Sequence, residues 1–228
     1  MKRNNSSYPI VLAITLLGGN LHCLAVQFTN LNFDAAAATT GSAHVGDYLP
    51  ASVAIPGWTA LIEETPSPVI FNTITTGSSA IVLTKFGSLF SPSPLSGQFS
   101  VVLISGFTGV ATPQPTSASI SQTGLVPGTA SSLRFIAQGD EPQVLASGTS
   151  LPVFLLGTTP NYNLYGTDIS PFAGTEIELK FHRPHTANFT GFTLDDITFS
   201  TEPVPEPSVI ALLSLAGAVS FWHLRRRF

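Results

Sequence analysis

The stretch Glu176-Ile177-Glu178-Leu179-Lys180-Phe181-His182 alternates strictly between apolar and polar side chains. Successive side chains of a β-strand point to opposite faces of a sheet, so this pattern predicts a strand with one buried and one solvated face. Ile177, Leu179 and Phe181 are the predicted core residues. No stretch before residue 208 shows a convincing 3.6-residue period, so strands decide the fold class.

Apolar stretches of strand length recur on both sides of this segment, separated by turn-forming clusters of Gly, Pro and Ser. The predicted strands are residues 69–74, 81–86, 99–104, 117–123, 132–137 and 192–199, a hairpin of 143–146 with 151–156, a short strand ending at Leu61, and a first strand over 26–33 whose Val26, Phe28, Leu31 and Phe33 side chains point inward. About ten short strands without intervening helices predict an all-β fold, an antiparallel sandwich of two sheets.

The last predicted strand contains two adjacent carboxylates, Asp195 and Asp196. Its apolar positions change from even (Phe192, Leu194) to odd (Ile197) at this pair, which predicts a β-bulge or bend. Adjacent strand residues face opposite sides of a sheet, so the two carboxylates do not flank one substrate unless the bulge turns them. The favoured interpretation is an edge-strand aspartate that bonds to the backbone within a bulge.

Composition excludes several classes of function. The 228 residues are 43% hydrophobic and only 10% charged, and residues 26–203 carry four cationic and twelve anionic side chains, a net charge of −8. Binding to nucleic acid gains from neutralising phosphates with cations, so this charge argues against a nucleic-acid partner. The single cysteine, Cys23, precedes the β-rich region, and the G-x-S-x-G and H-E-x-x-H motifs are missing from the sequence. We predict no catalytic residues and a protein that is not an enzyme.

The N-terminal residues 1–25 are typical of a secretory signal. Lys2 and Arg3 precede an apolar segment, Ile10–Leu17, and small residues place the predicted cleavage after Ala25. The predicted organisation is therefore a signal peptide (1–25), an exported β-sandwich domain (26–200), a linker (201–207), a transmembrane helix (208–224) and a basic cytoplasmic tail (225–228).

The C-terminal residues predict a membrane anchor. The stretch 208–224 has no charged residue and lies near the lower limit of the roughly 17–25 residues that span a bilayer. Arg225, Arg226 and Arg227 follow it and would stay on the cytoplasmic side. A buried core helix of a soluble protein is the alternative. Before the span, Pro205 and Pro207 fix φ and remove backbone donors, so residues 204–207 are expected to be extended and exposed.

The order Pro205-Glu206-Pro207, apolar span, arginine cluster resembles the PEP-CTERM sorting signal of Gram-negative bacteria. Segments 122–128 and 131–135 also resemble parts of verrucomicrobial PEP-CTERM proteins. The resemblance implies an exosortase, a membrane-embedded cysteine transpeptidase-like enzyme, that recognises Pro205, Glu206 and Pro207 and cuts close to them. It also implies a precursor anchored in the inner membrane and a final place at the cell surface or in the exopolysaccharide matrix.

The β-rich region resembles galactose-binding-like jelly rolls. The resemblance lies in Asn32-Phe33-Asp34, in Pro56-Gly57-Trp58 and in the Asp195-Asp196 ending. It implies a jelly-roll sandwich and an alternative function as a carbohydrate-binding module with a polysaccharide partner. It also implies a structural Ca²⁺ held by Asp34 with Asp195 or Asp196, since hard cations prefer carboxylate oxygens; otherwise no cofactor is expected.

Aromatic residues are the candidates for ligand contact, because aromatic rings stack on sugars. Tyr162 and Tyr165, in the predicted loop 161–166, are the candidate ligand-binding residues. Trp58 is assigned to the core, where a large aromatic side chain contributes most.

Overall fold

The computed structural model of the chain describes residues 26–37, 43–74, 77–87, 91–108, 113–185 and 189–205. The predicted signal peptide, the Glu206-Pro207 part of the motif, the apolar span and the arginine cluster lie outside the described residues. Within the described ranges no helix is long and apolar enough to cross a membrane.

Fifteen strands in the described ranges form two sheets. The nine-stranded sheet consists of β1 (Tyr48–Leu49), β4 (Val69–Phe71), β5 (Ala80–Lys85), β6 (Phe99–Thr108), β7 (Gln114–Thr116), β9 (Ser132–Gly139), β12 (Phe154–Thr158), β13 (Asn163–Asp168) and β15 (Thr190–Ser200). The six-stranded sheet consists of β2 (Thr59–Ile62), β3 (Thr65–Pro66), β8 (Ala118–Leu125), β10 (Gln143–Ala146), β11 (Thr149–Leu151) and β14 (Glu176–Arg183). A short helix, α1 (Ala51–Ala54), and a 3₁₀ turn, Ser170–Phe172, complete the described elements.

The strand order confirms an all-β, two-sheet architecture. The larger sheet has the order β1-β4-β5-β6-β15-β9-β13-β12, with β7 paired to β6, and the smaller has the order β11-β10-β14-β8-β2-β3. Neighbours run antiparallel, apart from β4 and β5, which are parallel. The last strand in the sequence, β15, therefore lies in the middle of the larger sheet, between β6 and β9.

The core lies between the two sheets and contains a row of aromatic rings. Phe181 of β14 has its ring centroid 5.1 Å from that of Phe135 on β9, edge to face, and 6.2 Å from that of Trp58. Ile177 and Leu179 lie on the same face of β14 and are at most 3% exposed. The predicted burial of this face of β14, and of Trp58, is confirmed. Each buried side chain of this size contributes on the order of 1.5–3 kcal/mol by leaving water.

The prediction of a first strand over residues 26–33 is wrong. Only Gln27 makes a ladder contact, an isolated bridge to Leu125, and turns follow it. Asn30 and Phe33 have φ values of 50° and 58°, in the left-handed region, which interrupts an extended chain. Phe33 is nevertheless fully buried, as the apolar pattern predicted, whereas Val26 is exposed.

The side chain of Gln122 supplies this N-terminal segment with backbone hydrogen bonds that a neighbouring strand would otherwise provide. The Thr29 N–H donates to Oε1 of Gln122 at 2.6 Å, and Nε2 of Gln122 donates to the Thr29 carbonyl at 3.1 Å. On the opposite side, the Ile197 N–H of β15 donates to the Leu31 carbonyl at 3.0 Å. The segment is thus bound to one strand of each sheet.

Two strand boundaries differ from the prediction in the region 151–168. A hairpin follows 143–146 as predicted, but its turn is Ser147-Gly148 and its second strand is Thr149–Leu151, so only Leu151 of the predicted strand 151–156 belongs to it. Pro152 has no N–H to donate, and the chain resumes as β12 in the other sheet. The predicted loop 161–166 contains most of β13, which pairs with β9 and β12.

The predicted bulge in the last strand is confirmed. The β15–β9 register shifts between Asp195 and Thr198, and Asp196 has a φ of 49°. The extra residue lets Leu194 and Ile197 both point into the core, which explains why the apolar positions change parity.

Candidate functional site

The chain leaves the sandwich through a short segment, residues 201–205, which we call the strap. It follows directly from the end of β15 at Ser200. Glu202 binds the strap to β9: its carbonyl accepts a hydrogen bond from Ser132 Oγ at 2.6 Å, and its Oε2 lies 2.9 Å from Nη2 of Arg134. Ser132 and Arg134 are two residues apart on one strand, so their side chains share a face. The exit direction of the chain is therefore set by β9.

Beyond Glu202 the strap lies against apolar side chains. On one side, Pro203, Val204 and Pro205 line a groove of about 550 Å³ together with Leu151, Pro152, Phe154, Asp168, Ser170 and Pro171. On the other side, Pro203 and Pro205 line a groove of about 660 Å³ with Phe154, Leu155, Leu156 and Leu164. The two grooves share the strap as a common wall.

Gly166 on β13 lets the strap approach the sheet. A β-carbon at this position would lie 3.3 Å from Cγ2 of Val204 and 2.7 Å from Cδ1 of Leu156. Alanine here would force the end of the Leu156 side chain to move and would press on Val204. The hydrophobic side chains around the strap, and its partners Arg134 and Ser132, were not identified from the sequence.

Pro205, the first residue of the sorting motif, is exposed at the end of the strap. Glu206 and Pro207, like Arg225, Arg226 and Arg227, lie outside the described residues, so their role stays a prediction. The described part of the linker bends at Thr201 and Glu202, and Pro203 and Pro205 are exposed while Val204 is half-buried, so the start of the motif lies at the surface.

The predicted metal-ligating residue Asp34 binds backbone N–H groups of the segment that precedes β6. Its Oδ1 accepts hydrogen bonds from the N–H groups of Gln98 at 2.7 Å and Phe99 at 3.1 Å. Gly97 allows this approach: it has a φ of 53°, and a β-carbon there would collide with the Asp34 carboxylate. Asp34 therefore holds the start of β6 in place.

Asp195 binds the same segment from the middle of the larger sheet. Its Oδ2 accepts from Ser100 Oγ at 2.6 Å and from the Ser96 N–H at 3.1 Å, and its Oδ1 accepts from the Asp196 N–H at 2.8 Å. We call Asp34 and Asp195, which both bind residues 96–100, the aspartate clasp. Asp195 bonds to backbone N–H groups at a bulge, as the favoured interpretation expected, but the expected edge strand is wrong, because β15 pairs with both β6 and β9.

The environment of Asp195 alters its titration. Its side chain is fully buried, and this burial raises the pKa of the carboxyl to about 7. The hydrogen bonds from Ser100, Asp196 and Ser96 act in the opposite direction, because they favour the ionised form. Asp196 itself is exposed at the bulge. The two adjacent carboxylates thus have different environments and do not converge on a common space.

The calcium hypothesis remains a prediction. In the part of the chain that the structure describes, no group of three or more His, Cys, Asp or Glu side chains is arranged to hold a metal ion. In the aspartate clasp, both carboxylates use their oxygens to accept protein N–H and O–H groups. A Ca²⁺ ion at this place would have to compete with those donors.

The two candidate ligand-binding tyrosines occupy different environments. Tyr165 is only 6% exposed, and its ring stacks on Phe135 with 5.7 Å between centroids. Its ring face is therefore used in packing and is not available at the surface. Tyr162 lies half-buried in the β12–β13 turn, where its N–H donates to Thr159 Oγ1 at 3.0 Å. The prediction of an aromatic ligand contact in this loop now depends on Tyr162 alone.

Comparisons with known proteins find a distant structural likeness and no family. Neither protein-family profiles nor curated proteins match the sequence. Among solved structures, the chain is similar to the enzymatically active domain of tailspike protein 4 of bacteriophage CBA120, at 14% identity and a TM-score of 0.36. The match covers 75% of this chain and 21% of that chain, so this chain corresponds to about a fifth of the tailspike domain. A likeness at this level assigns neither an activity nor a family.

Proposed function

We propose that this protein is an exported bacterial surface protein that is sorted through its C-terminus. In this proposal residues 1–25 direct export, residues 208–224 hold the precursor in the inner membrane, and Arg225, Arg226 and Arg227 stay in the cytoplasm. An exosortase then binds Pro205-Glu206-Pro207 and cuts nearby. The β-sandwich, which we propose to be jelly-roll-like, is the cargo that reaches the cell surface or the exopolysaccharide matrix.

The observation that carries the proposal is the position of Pro205. The last strand ends at Ser200, and the strap brings Pro205 to an exposed position within five residues. A processing enzyme binds its substrate as an extended chain in a cleft, so a recognition motif has to lie outside packed secondary structure. The folded cargo therefore leaves the start of the motif accessible.

We propose that the β-sandwich domain has no catalytic role. Of the carboxylates that the sequence singled out, Asp34 and Asp195 bind backbone groups of the β6 entry, and Asp196 faces solvent. A general acid–base pair needs two groups that face a shared reacting centre, which these residues do not provide.

The experiment that tests sorting replaces the motif in the native host. Changing Pro205, Glu206 and Pro207 to alanine is expected to leave an unprocessed precursor in the membrane fraction. Pro203→Ala is the matched control, because it removes a strap proline outside the motif. Mass spectrometry of the recovered protein reads out its C-terminal residue. Normal processing of the triple variant would overturn the proposal.

Carbohydrate binding by the same body is the second candidate function. One observation favours it: in the groove of about 550 Å³, Phe154 lies with the carboxylate of Asp168 and the hydroxyl of Ser170. Ligand sites combine apolar or aromatic walls with a few polar groups that fix orientation. Binding to a glycan array that is lost in Phe154→Ala or Tyr162→Ala would support this function, and no binding by the folded protein to any glycan would remove it.

A further inference from the structure

The edge of the larger sheet next to the strap is unusually apolar. Leu155 of β12, the outermost strand on this side, is 58% exposed, and Leu156 and Leu164 beside it are half-buried. We call these three leucines the apolar edge. Together with Pro203 and Pro205 they line the groove of about 660 Å³. An apolar cluster at an edge strand is a surface that soluble proteins normally cover or blunt.

The length of chain beyond Pro205 limits what can lie against this edge. The uncharged apolar run begins at Ser208, three residues after Pro205. Three residues extend at most about 11 Å, because a fully extended chain spans no more than about 3.6 Å per residue. The interfacial layer of a bilayer adds roughly 5–8 Å outside the hydrocarbon. If residues 208–224 span the membrane, the apolar edge lies within reach of its headgroup region.

The strap also restricts how far the β-sandwich can rotate away from the membrane surface. Glu202 is bound to Ser132 and Arg134 on β9, two strands from β12 in the sheet. The strap therefore leaves the β-sandwich at a fixed point beside the apolar edge. The opposite edge of the same sheet is β1. It lies about 34 Å from β12 along the sheet, since seven spacings of about 4.8 Å separate the two strands.

We propose that the apolar edge contacts the lipid surface in the membrane-held precursor, so that the body rests on the bilayer with β12 toward it. This inference depends on the proposed function, because it needs the span. The contact is apolar: the net charge of −8 over residues 26–203 opposes attraction to an anionic membrane. Although the contact is small, the strap and the span hold the apolar edge at a high local concentration near the lipid, which strengthens the contact.

The test uses the full chain with Cys23→Ser and one introduced cysteine that carries an environment-sensitive fluorophore. Leu155→Cys reports on the apolar edge. Tyr48→Cys is the matched control, because Tyr48 is 68% exposed and lies on β1 at the opposite edge of the sheet. Both proteins are reconstituted into vesicles of phosphatidylcholine and phosphatidylglycerol. Flotation that is lost when residues 208–228 are deleted shows that the C-terminal run anchors the chain, and circular dichroism shows that both variants fold.

The expected result is a blue-shifted emission at position 155 that is quenched by a nitroxide-labelled lipid, with neither effect at position 48. Because only lipid is present, a positive result identifies the lipid surface and not a protein partner. If the protein floats with the vesicles but its fluorophore shows equal, unshifted emission at positions 155 and 48, the contact is overturned and the anchor is not. Protein that fails to float would overturn the anchor, and the contact with it.

Discussion

Asp195 gives the fold a pH dependence that one substitution removes. Burial raises the pKa of its carboxyl to about 7, against 3.8 for an unperturbed aspartate. Between these two values the folded protein holds the proton and the unfolded chain does not, so protons stabilise the folded state. This stabilisation is fully present below about pH 3.8 and is lost as the pH rises through about 7.

The size of the effect follows from the difference between the two pKa values. About three units correspond to about 4 kcal/mol, at 1.36 kcal/mol per unit. We expect the free energy of unfolding of the wild type, relative to Asp195→Asn, to rise by up to about 4 kcal/mol between about pH 8 and about pH 4. Burial of His182 lowers the pKa of that side chain and acts in the opposite direction as pH falls, but His182 is present in both proteins and cancels.

Urea denaturation of the fragment 26–205, which contains both sheets and the core, measures this difference. Asp196→Asn is the matched control, since Asp196 is exposed and asparagine tolerates its φ of 49°. The control should keep most of the wild-type pH dependence, because the charge of Asp196 is only the smallest of the causes that raise the pKa of Asp195. Unfolding free energies of wild type and Asp195→Asn that change in parallel with pH would refute the reasoning.

Three further predictions concern the N-terminal segment, the strap and the aspartate clasp. Gln122→Leu removes both hydrogen bonds to Thr29, whose backbone groups are exposed and can bond to water instead, so the cost in urea unfolding should be about 1–3 kcal/mol, the net value of two hydrogen bonds; an unchanged midpoint would contradict this role. Arg134→Met breaks the ion pair with Glu202, which is largely exposed, so global stability should fall by less than about 1 kcal/mol while amide hydrogen exchange in the strap accelerates. EDTA should leave the Tm unchanged, because the clasp carboxylates already accept protein donors; a lower Tm that Ca²⁺ restores would establish a calcium site.

The fold class was predictable because the two-residue period is a direct consequence of strand geometry. Ile177, Leu179 and Phe181 are buried as their alternation predicted. The bulge at Asp195 was predictable for the same reason, since a change of parity between apolar positions requires an extra residue in the strand.

Other features depend on contacts that a local pattern does not encode. Residues 26–33 contain apolar side chains at plausible spacing, yet Gln122, distant in sequence, supplies their hydrogen bonds. Tyr165 lies in a stretch rich in Asn and Gly that is typical of a loop, but pairing with β9 makes it a strand. The partners of the strap were unpredictable because an arginine on β9 contacts Glu202 across a sequence separation of 68 residues.

The central position of β15 determines when the sandwich can close. Its neighbours β6 and β9 have no direct ladder to one another in the sheet order, and the N-terminal segment also needs Ile197 to bind Leu31. Pairings of such long sequence separation form late and slowly. The larger sheet of a chain that emerged from its N-terminus would therefore stay in two separate parts until residues 190–200 were available. Only residues 201–207 then separate the completed sheet from the apolar run, so if that run spans the membrane as proposed, its arrest there and the completion of the fold would nearly coincide.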